Sequence, residues 1–277
     1  MKKTTRYLLM VPCIVMLIVF LILPLLSIIM PTVFKEQFSL DAYIQYFQDE
    51  YYRQIFFRTL RIAGLSAIIC MILGIPTAYF ISRCKKKWRG IWVAISIFPI
   101  LTNSVVRSFA WIQILGKEGI INNLLMQLNL IDEPLTLLYT EFSILIGTIY
   151  LFLPIMIITL VGVMENIDTD LMEASQSLGA NRFRSFLKVI LPLSIPGILV
   201  GSVLVFTGAL SAYTTPQLLG GNKNLVMATF IYQKAMSEGD WTGAGVVAVI
   251  MIVTTLIVMK GLQYITSKID KRGETHA

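Results

Sequence analysis

The chain has 277 residues, of which 56% are hydrophobic and only 14% charged, with a mean hydropathy of +0.75 and a formal net charge of +7. Soluble domains carry roughly 25% charged residues, so the composition excludes an ordinary soluble globular protein and points to a polytopic membrane protein. Cys13, Cys70 and Cys84 have no metal-like spacing and His276 is the sole histidine, which excludes a disulfide framework and a Cys/His metal site.

The first apolar block, 7–29, follows Lys2, Lys3 and Arg6. It is longer than the apolar region of a secretory signal and lacks a small-x-small cleavage site, so it reads as a retained anchor. Five further blocks follow at 60–81, 91–115, 142–164, 195–216 and 243–265. Each supplies the roughly 20 apolar residues needed to cross a bilayer core of about 30 Å. Between the first two, Leu40, Tyr43, Ile44 and Phe47 recur at helical spacing and predict an amphipathic interfacial helix. Ile120, Ile121, Leu124, Leu125 and Leu128 predict a second one after the third block. Pro24, Pro76, Pro99, Pro154 and Pro216 lie in or at the ends of blocks, where each frees a backbone carbonyl.

Basic residues set the orientation. With the N-terminus inside, the inner segments hold fourteen Lys and Arg, among them Arg83, Lys85, Lys86, Lys87 and Arg89, against six in the outer loops. The positive-inside rule therefore places both termini in the cytoplasm. Topology and anionic lipid account for the +7 charge, and no basic-aromatic cluster calls for a nucleic acid.

The third block carries the least lipid-like side chains. Asn103, Arg107 and Trp111 recur every four residues and share one helix face. An arginine there costs a few kcal/mol on insertion scales, so Arg107 either snorkels to headgroups or turns inward, lining a wet pathway or meeting a partner subunit. Tyr150, Tyr213, Asp240 and Trp241 are further pathway candidates, and Glu141, Glu238 and Asp240 are the acids near the outer mouth.

Segment 165–193 is a long polar stretch with no place in the bilayer. It parses as two short helices around a tight turn. Asp170 and Glu173 form a candidate capping box, Gly179 suits a helix end, and Asn181 can cap the second helix. The second helix sets Phe183, Phe186, Leu187 and Ile190 on one apolar stripe, and Pro192 and Pro196 close the unit. On physical grounds the hairpin either packs on its own bundle or receives a partner.

Glu173-Ala174, then Gly179-Ala180, Phe186, Leu191-Pro192 and Pro196-Gly197 resemble the EAA loop of permease subunits in bacterial ABC importers. Thr102–Arg107, Ile149–Pro154, Ile167-Asp168, Leu219–Gly221 and Gly239–Trp241 resemble segments of the spermidine/putrescine permease group, from about Leu40 to the end. Ser175 departs from the pattern, standing where a second alanine is usual. The resemblance implies an all-α membrane protein of one domain, a six-transmembrane-helix bundle of the type I ABC importer permease kind, in a bacterial inner membrane. It implies that Glu173, Ala174, Ser175, Leu178, Gly179, Ala180 and Asn181 couple to a cytoplasmic ATPase. The implied partners are a homologous permease subunit, two ATPase subunits and an extracytoplasmic substrate-binding protein.

The chain contains no G-x-x-x-x-G-K-[ST] loop, so no cofactor is expected on it, and ATP and magnesium are expected on the partner ATPase. A polyamine cargo is the first expectation. Permeases for iron, thiamine, phosphonate or opines are the alternatives, followed by an ion-coupled secondary transporter, which would normally need acids inside a span.

Overall fold

A computed structural model of the protein describes residues 11–12, 15–34 and 39–274, with side chains described as far as 264. The first residues of the anchor block, Cys13, Lys35 and His276 lie outside the described residues. The described chain is helical, and its order is α1 (Val15–Val33), α2 (Asp41–Gln48), α3 (Glu50–Arg83), α4 (Lys86–Leu101), α5 (Ser104–Leu115) and α6 (Ile120–Gln127). There follow α7 (Glu141–Met164), α8 (Thr169–Ser177), α9 (Arg182–Leu193), α10 (Ile195–Ser211), α11 (Thr214–Gly220), α12 (Met227–Tyr232) and α13 (Trp241–Glu274).

Four of these helices, α1, α3, α7 and α13, are long and apolar enough to cross a membrane unaided. Two bent pairs raise the number to six if each is one span: α4 with the segment Ser104–Gln127, bent 91°, and α9 with α10, bent 66°. The third apolar block is therefore broken, where the sequence suggested a continuous helix, whereas the bend between α9 and α10 falls at Ser194, just before the fifth block. Large apolar side chains such as Phe20, Phe57, Ile72, Phe98 and Ile257 stay exposed, as lipid-facing residues should.

The chain divides into two compact units, residues 1–54 with 230–253, and residues 55–229 with 254–277. In the first, Gly245 of α13 meets α1 closely enough that a Cβ would lie 2.8 Å from Thr32 Cγ2. Thr32 is buried and shares a 2.7 Å hydrogen bond with the Tyr43 hydroxyl of α2. Leu40, which precedes α2, and Ile44 and Phe47 on it are exposed, Tyr43 is half-buried, and Tyr46 turns inward. That split matches the expected amphipathic helix.

In the second unit α10 packs on α7 along a seam of small residues. Gly197, Gly201 and Gly208 share a face of α10, and Cβ atoms there would fall 2.7 Å from Val163, 2.6 Å from Met156 and 2.3 Å from Phe152. Glycine is what permits this approach, the usual way helices associate where lipid offers no hydrophobic driving force. Gly147 plays the same part for α7 against Leu219 and Thr215 of α11. Ile62, Ile144 and Val226 form a buried cluster beside it, and the Met227 N–H donates to Thr59 Oγ1 at 2.9 Å.

Candidate functional site

The hairpin α8–α9 is built around one glycine. Gly179 has φ +89°, a left-handed conformation that glycine adopts without Cβ strain. Its N–H donates to Gln176 O at 2.9 Å, and the Ala180 N–H donates to Ser175 O at 3.2 Å. This pair of bonds is the Schellman termination, which consumes the last free carbonyls of α8 and fixes the turn. Asn181 Oδ1 accepts from Arg184 N at 2.8 Å and starts α9, as its side-chain type suggested. The start of α8 differs from the expected box: Asp168, not Asp170, is the cap, accepting from the Asp170 N–H at 3.1 Å. Asp170 lies in the first turn, where its charge still favours the helix dipole.

Ser175 has a role that an alanine could not fill. The hydroxyl of fully buried Ser185 donates to Ser175 Oγ at 3.1 Å, tying α9 to α8. The apolar stripe of α9 is only half used. Ile190 is buried and the Phe186 ring lies 4.8 Å from that of Tyr79, but Phe183 and Leu187 stay exposed. A π-helical turn over Phe186–Ile190 widens the helical repeat and so breaks the simple stripe. Leu178 stands at the corner, 90% exposed, and a Cβ on Gly179 would meet nothing within 4 Å. Glu173, Ala174 and Asn181 are exposed with it, and Ala180 is half-buried.

The pathway candidates divide between the units. Asn103, Arg107, Trp111, Tyr150 and Tyr213 fall in one, Asp240 and Trp241 in the other. Asn103 caps α5, accepting from Val105 N at 2.8 Å and Val106 N at 3.4 Å. Arg107 is 7% exposed, its guanidinium turned against the end of α4. Its Nη1 donates to Pro99 O at 2.6 Å and to Thr102 O at 3.3 Å, sealing the end of α4 at the break. Trp111 and Tyr150 meet edge to face, with ring centroids 5.6 Å apart. Tyr213 is half-buried at the start of α11, and Trp241 is exposed at the start of α13.

The acids near the far ends of the spans are engaged by this chain's own cations. Glu141 pairs with Arg58 and Arg61, and Arg58 Nη1 also donates to Leu225 O at 3.1 Å. Lys234 Nζ reaches Glu238 Oε2 at 3.1 Å and Asp240 Oδ2 at 3.3 Å, over the rings of Tyr52 and Phe230. Burial alone would lower the pKa of this ammonium, but its bonds to Glu238, Tyr52 and Asp240 outweigh burial and hold it raised. Hydrogen bonds from Lys234 and Gln233 keep Glu238 below the usual carboxylate range. Tyr46, whose phenol is pushed up by burial and then by Tyr52, lines a cavity of about 200 Å³ beside this cluster. Lys234 and Glu238 are four residues apart, but Tyr52 joins the cluster only through the fold, so its full membership could not be read from the chain.

Bent and broken spans, a glycine seam and a rigid polar hairpin continuous with a span define a polytopic membrane permease. Residues 70–268 match the family described as binding-protein-dependent transport system inner membrane component. The chain belongs to that family, the permease subunits of ABC importers, and is therefore a multi-pass protein of the inner membrane. It is 35% identical over 198 residues to the spermidine/putrescine transport system permease protein PotB of Haemophilus influenzae, covering 72% of this chain and 69% of that protein. It is 31% identical to the PotB protein of Salmonella typhimurium over 270 residues, 94% of each chain. Among solved structures, a bacterial ABC transporter involved in the import of the acidic polysaccharide alginate superposes with a TM-score of 0.82 over 96% of both chains at 20% identity. At that identity the likeness concerns the fold.

Proposed function

We propose that this chain is a pore-forming subunit of an ATP-driven polyamine importer, spermidine or putrescine being the cargo. It pairs with a homologous permease, two cytoplasmic ATPase subunits and an extracytoplasmic binding protein. ATP and magnesium are held by the ATPases, and both termini of this chain are cytoplasmic. Closure of the ATPase dimer displaces α8–α9, and the bundle then rocks from inward- to outward-facing so that the binding protein can discharge its ligand. Asn103, Arg107, Trp111, Tyr150, Tyr213, Asp240 and Trp241 belong to the translocating part, with Arg107 acting through the break it holds.

The observation that carries the ATPase contact is the corner itself: Leu178 is 90% exposed on a turn fixed by two backbone bonds. A rigid, uncovered apolar residue flanked by small ones is a docking element. The cargo is supported by relatives that carry polyamine permease names over nearly the whole chain. This chain itself offers a cation little, since Glu141, Glu238 and Asp240 already face Arg58, Arg61 and Lys234. Selectivity then sits in the binding protein and the partner permease.

The open space around Gly179 makes a clean test. Gly179→Trp should insert normally yet fail to co-purify with its ATPase, whereas Gly179→Asn, which tolerates positive φ, should retain it. Co-purification of the tryptophan variant at wild-type levels would refute the coupling role. Mass spectrometry of the ligand retained by the cognate binding protein decides the cargo: a polyamine upholds the reading, and ferric ion, thiamine, a phosphonate or an opine replaces it. Uptake into vesicles driven by an ion gradient without the ATPase would remove the importer reading altogether.

A further inference from the structure

Two arginines flank the junction of α3 and α4. Arg89, in the first turn of α4, pairs with Glu165 and donates to Ser82 O at 2.9 Å and Cys84 O at 3.4 Å, which leaves only its Nε buried and unbonded. Arg83, the last residue of α3, is less well served. Its Nη1 donates to Ile167 O at 3.2 Å, but Nε and Nη2 are fully buried with no hydrogen-bond partner, and no carboxylate pairs with it among the described residues. Its guanidinium carbon lies 5.8 Å from the centre of the Tyr79 ring. Leaving donors of a charged group buried and unbonded is costly, and such a group calls for an explanation.

Arg83 lines a cavity of about 660 Å³ between α3 and the α8–α9 hairpin. This lies within the range of small-molecule sites, roughly 300–1,000 Å³. The charged groups on its wall are Arg83 and Arg182 against Glu173, an excess of one positive charge. Opposite them the wall is apolar, with Pro76, Met172 and Phe183, the last 69% exposed. Lys85, Lys86 and Lys87 follow immediately and are exposed.

We propose that this cavity is a binding site for an anionic phospholipid headgroup, its phosphate held by Arg83 and Arg182 and its glycerol and upper acyl carbons against Phe183 and Met172. A short rotation of the Arg83 side chain into the cavity it lines presents Nε and Nη2 as the two-pronged donor that fits a phosphate. The depth agrees, because Arg83 ends the helix that carries the second apolar block and so sits at headgroup level. The run of lysines beyond it is the juxtamembrane pattern that draws acidic lipids, and basic pockets between spans at this face hold such headgroups. Glu173 and Gln176 of α8 share the cavity, so the lipid bridges a fixed span to the hairpin. This goes beyond the transport reading and stands whichever solute is carried.

The test uses the assembled transporter, stripped of lipid in detergent, with bound species weighed by native mass spectrometry. Short-chain phosphatidylglycerol should be retained, and phosphatidylcholine of the same chain length should bind about tenfold more weakly. Arg182→Gln should weaken phosphatidylglycerol about tenfold and Arg83→Gln by more, while Lys85→Gln should have little effect because that side chain lies outside the cavity. If Arg83→Gln does not assemble, Arg182→Gln and competition on the wild type decide the matter. Equal losses in Arg182→Gln and Lys85→Gln would mean diffuse charge attraction and overturn the site. Displacement of the lipid by millimolar inorganic phosphate would assign the cavity to a free anion and overturn the lipid assignment.

Discussion

The two broken spans solve one problem in different ways. Between α4 and α5 the chain stops a helix outright and turns by 91°. The backbone groups freed there are taken by side chains: Thr102 Oγ1 donates to Pro99 O at 2.7 Å, Asn103 accepts from α5, and Arg107 reaches back to α4. Between α9 and α10 the bend is 66° and the ladder hardly stops. The Ser194 N–H donates to Ile190 O at 3.0 Å and to Leu191 O at 3.1 Å, and the Ile198 N–H donates to Ser194 O at 2.9 Å. Pro192 and Pro196 withdraw donors, and the π-helical turn before them absorbs the extra residue. A joint that interrupts backbone bonding depends on particular side chains, whereas a bend that reroutes the backbone does not.

That contrast can be broken by substitution, read as thermal unfolding of the assembled protein in detergent. Arg107→Ala should cost most, about 3 kcal/mol, because it empties a buried site, takes the guanidinium donor from the Thr102 carbonyl and leaves Pro99 O with the Thr102 hydroxyl alone. A loss below about 0.5 kcal/mol would mean that the guanidinium does not hold the joint. Asn103→Ala should cost about 1 kcal/mol, the ordinary value of a helix cap. Ser194→Ala should change stability by less than about 0.5 kcal/mol, since a hydroxyl bonded four residues back adds little to a carbonyl already served by a backbone N–H. A larger loss at Ser194 than at Asn103 would reverse the comparison.

Legibility in the sequence followed the range of the interaction. The Gly179 corner and the Asn181 cap were readable because each depends on a residue's own backbone preference and on donors three residues away. The cap of α8 slipped by two positions because Asp168 and Asp170 are chemically equivalent, and only the local φ and ψ separate them. The break at Thr102 was signalled by Pro99 and by an asparagine at cap spacing, yet the four-residue recurrence of Asn103, Arg107 and Trp111 suggested a continuous face. The shorter bonds of Arg107 go to main-chain carbonyls, and side-chain pattern carries no record of those. Ser175 looked like a lapse from the alanine pattern until the fold brought Ser185 beside it. In the Lys234 cluster the pairing with Glu238 four residues on is local, but Tyr52 comes from a distant stretch, and only the fold brings its ring under the ammonium.

The glycine seam between α7 and α10 has a mechanical consequence. In sequence the hairpin is strung between the end of α7 and the start of α10, and those two helices are locked together by Gly197, Gly201 and Gly208. A displacement applied at α8–α9 cannot pry its two anchors apart without tearing the seam, so the pair must travel as one stiff strut. For the coupling proposed above, the smallest side chains in the span are therefore what would transmit a push instead of absorbing it.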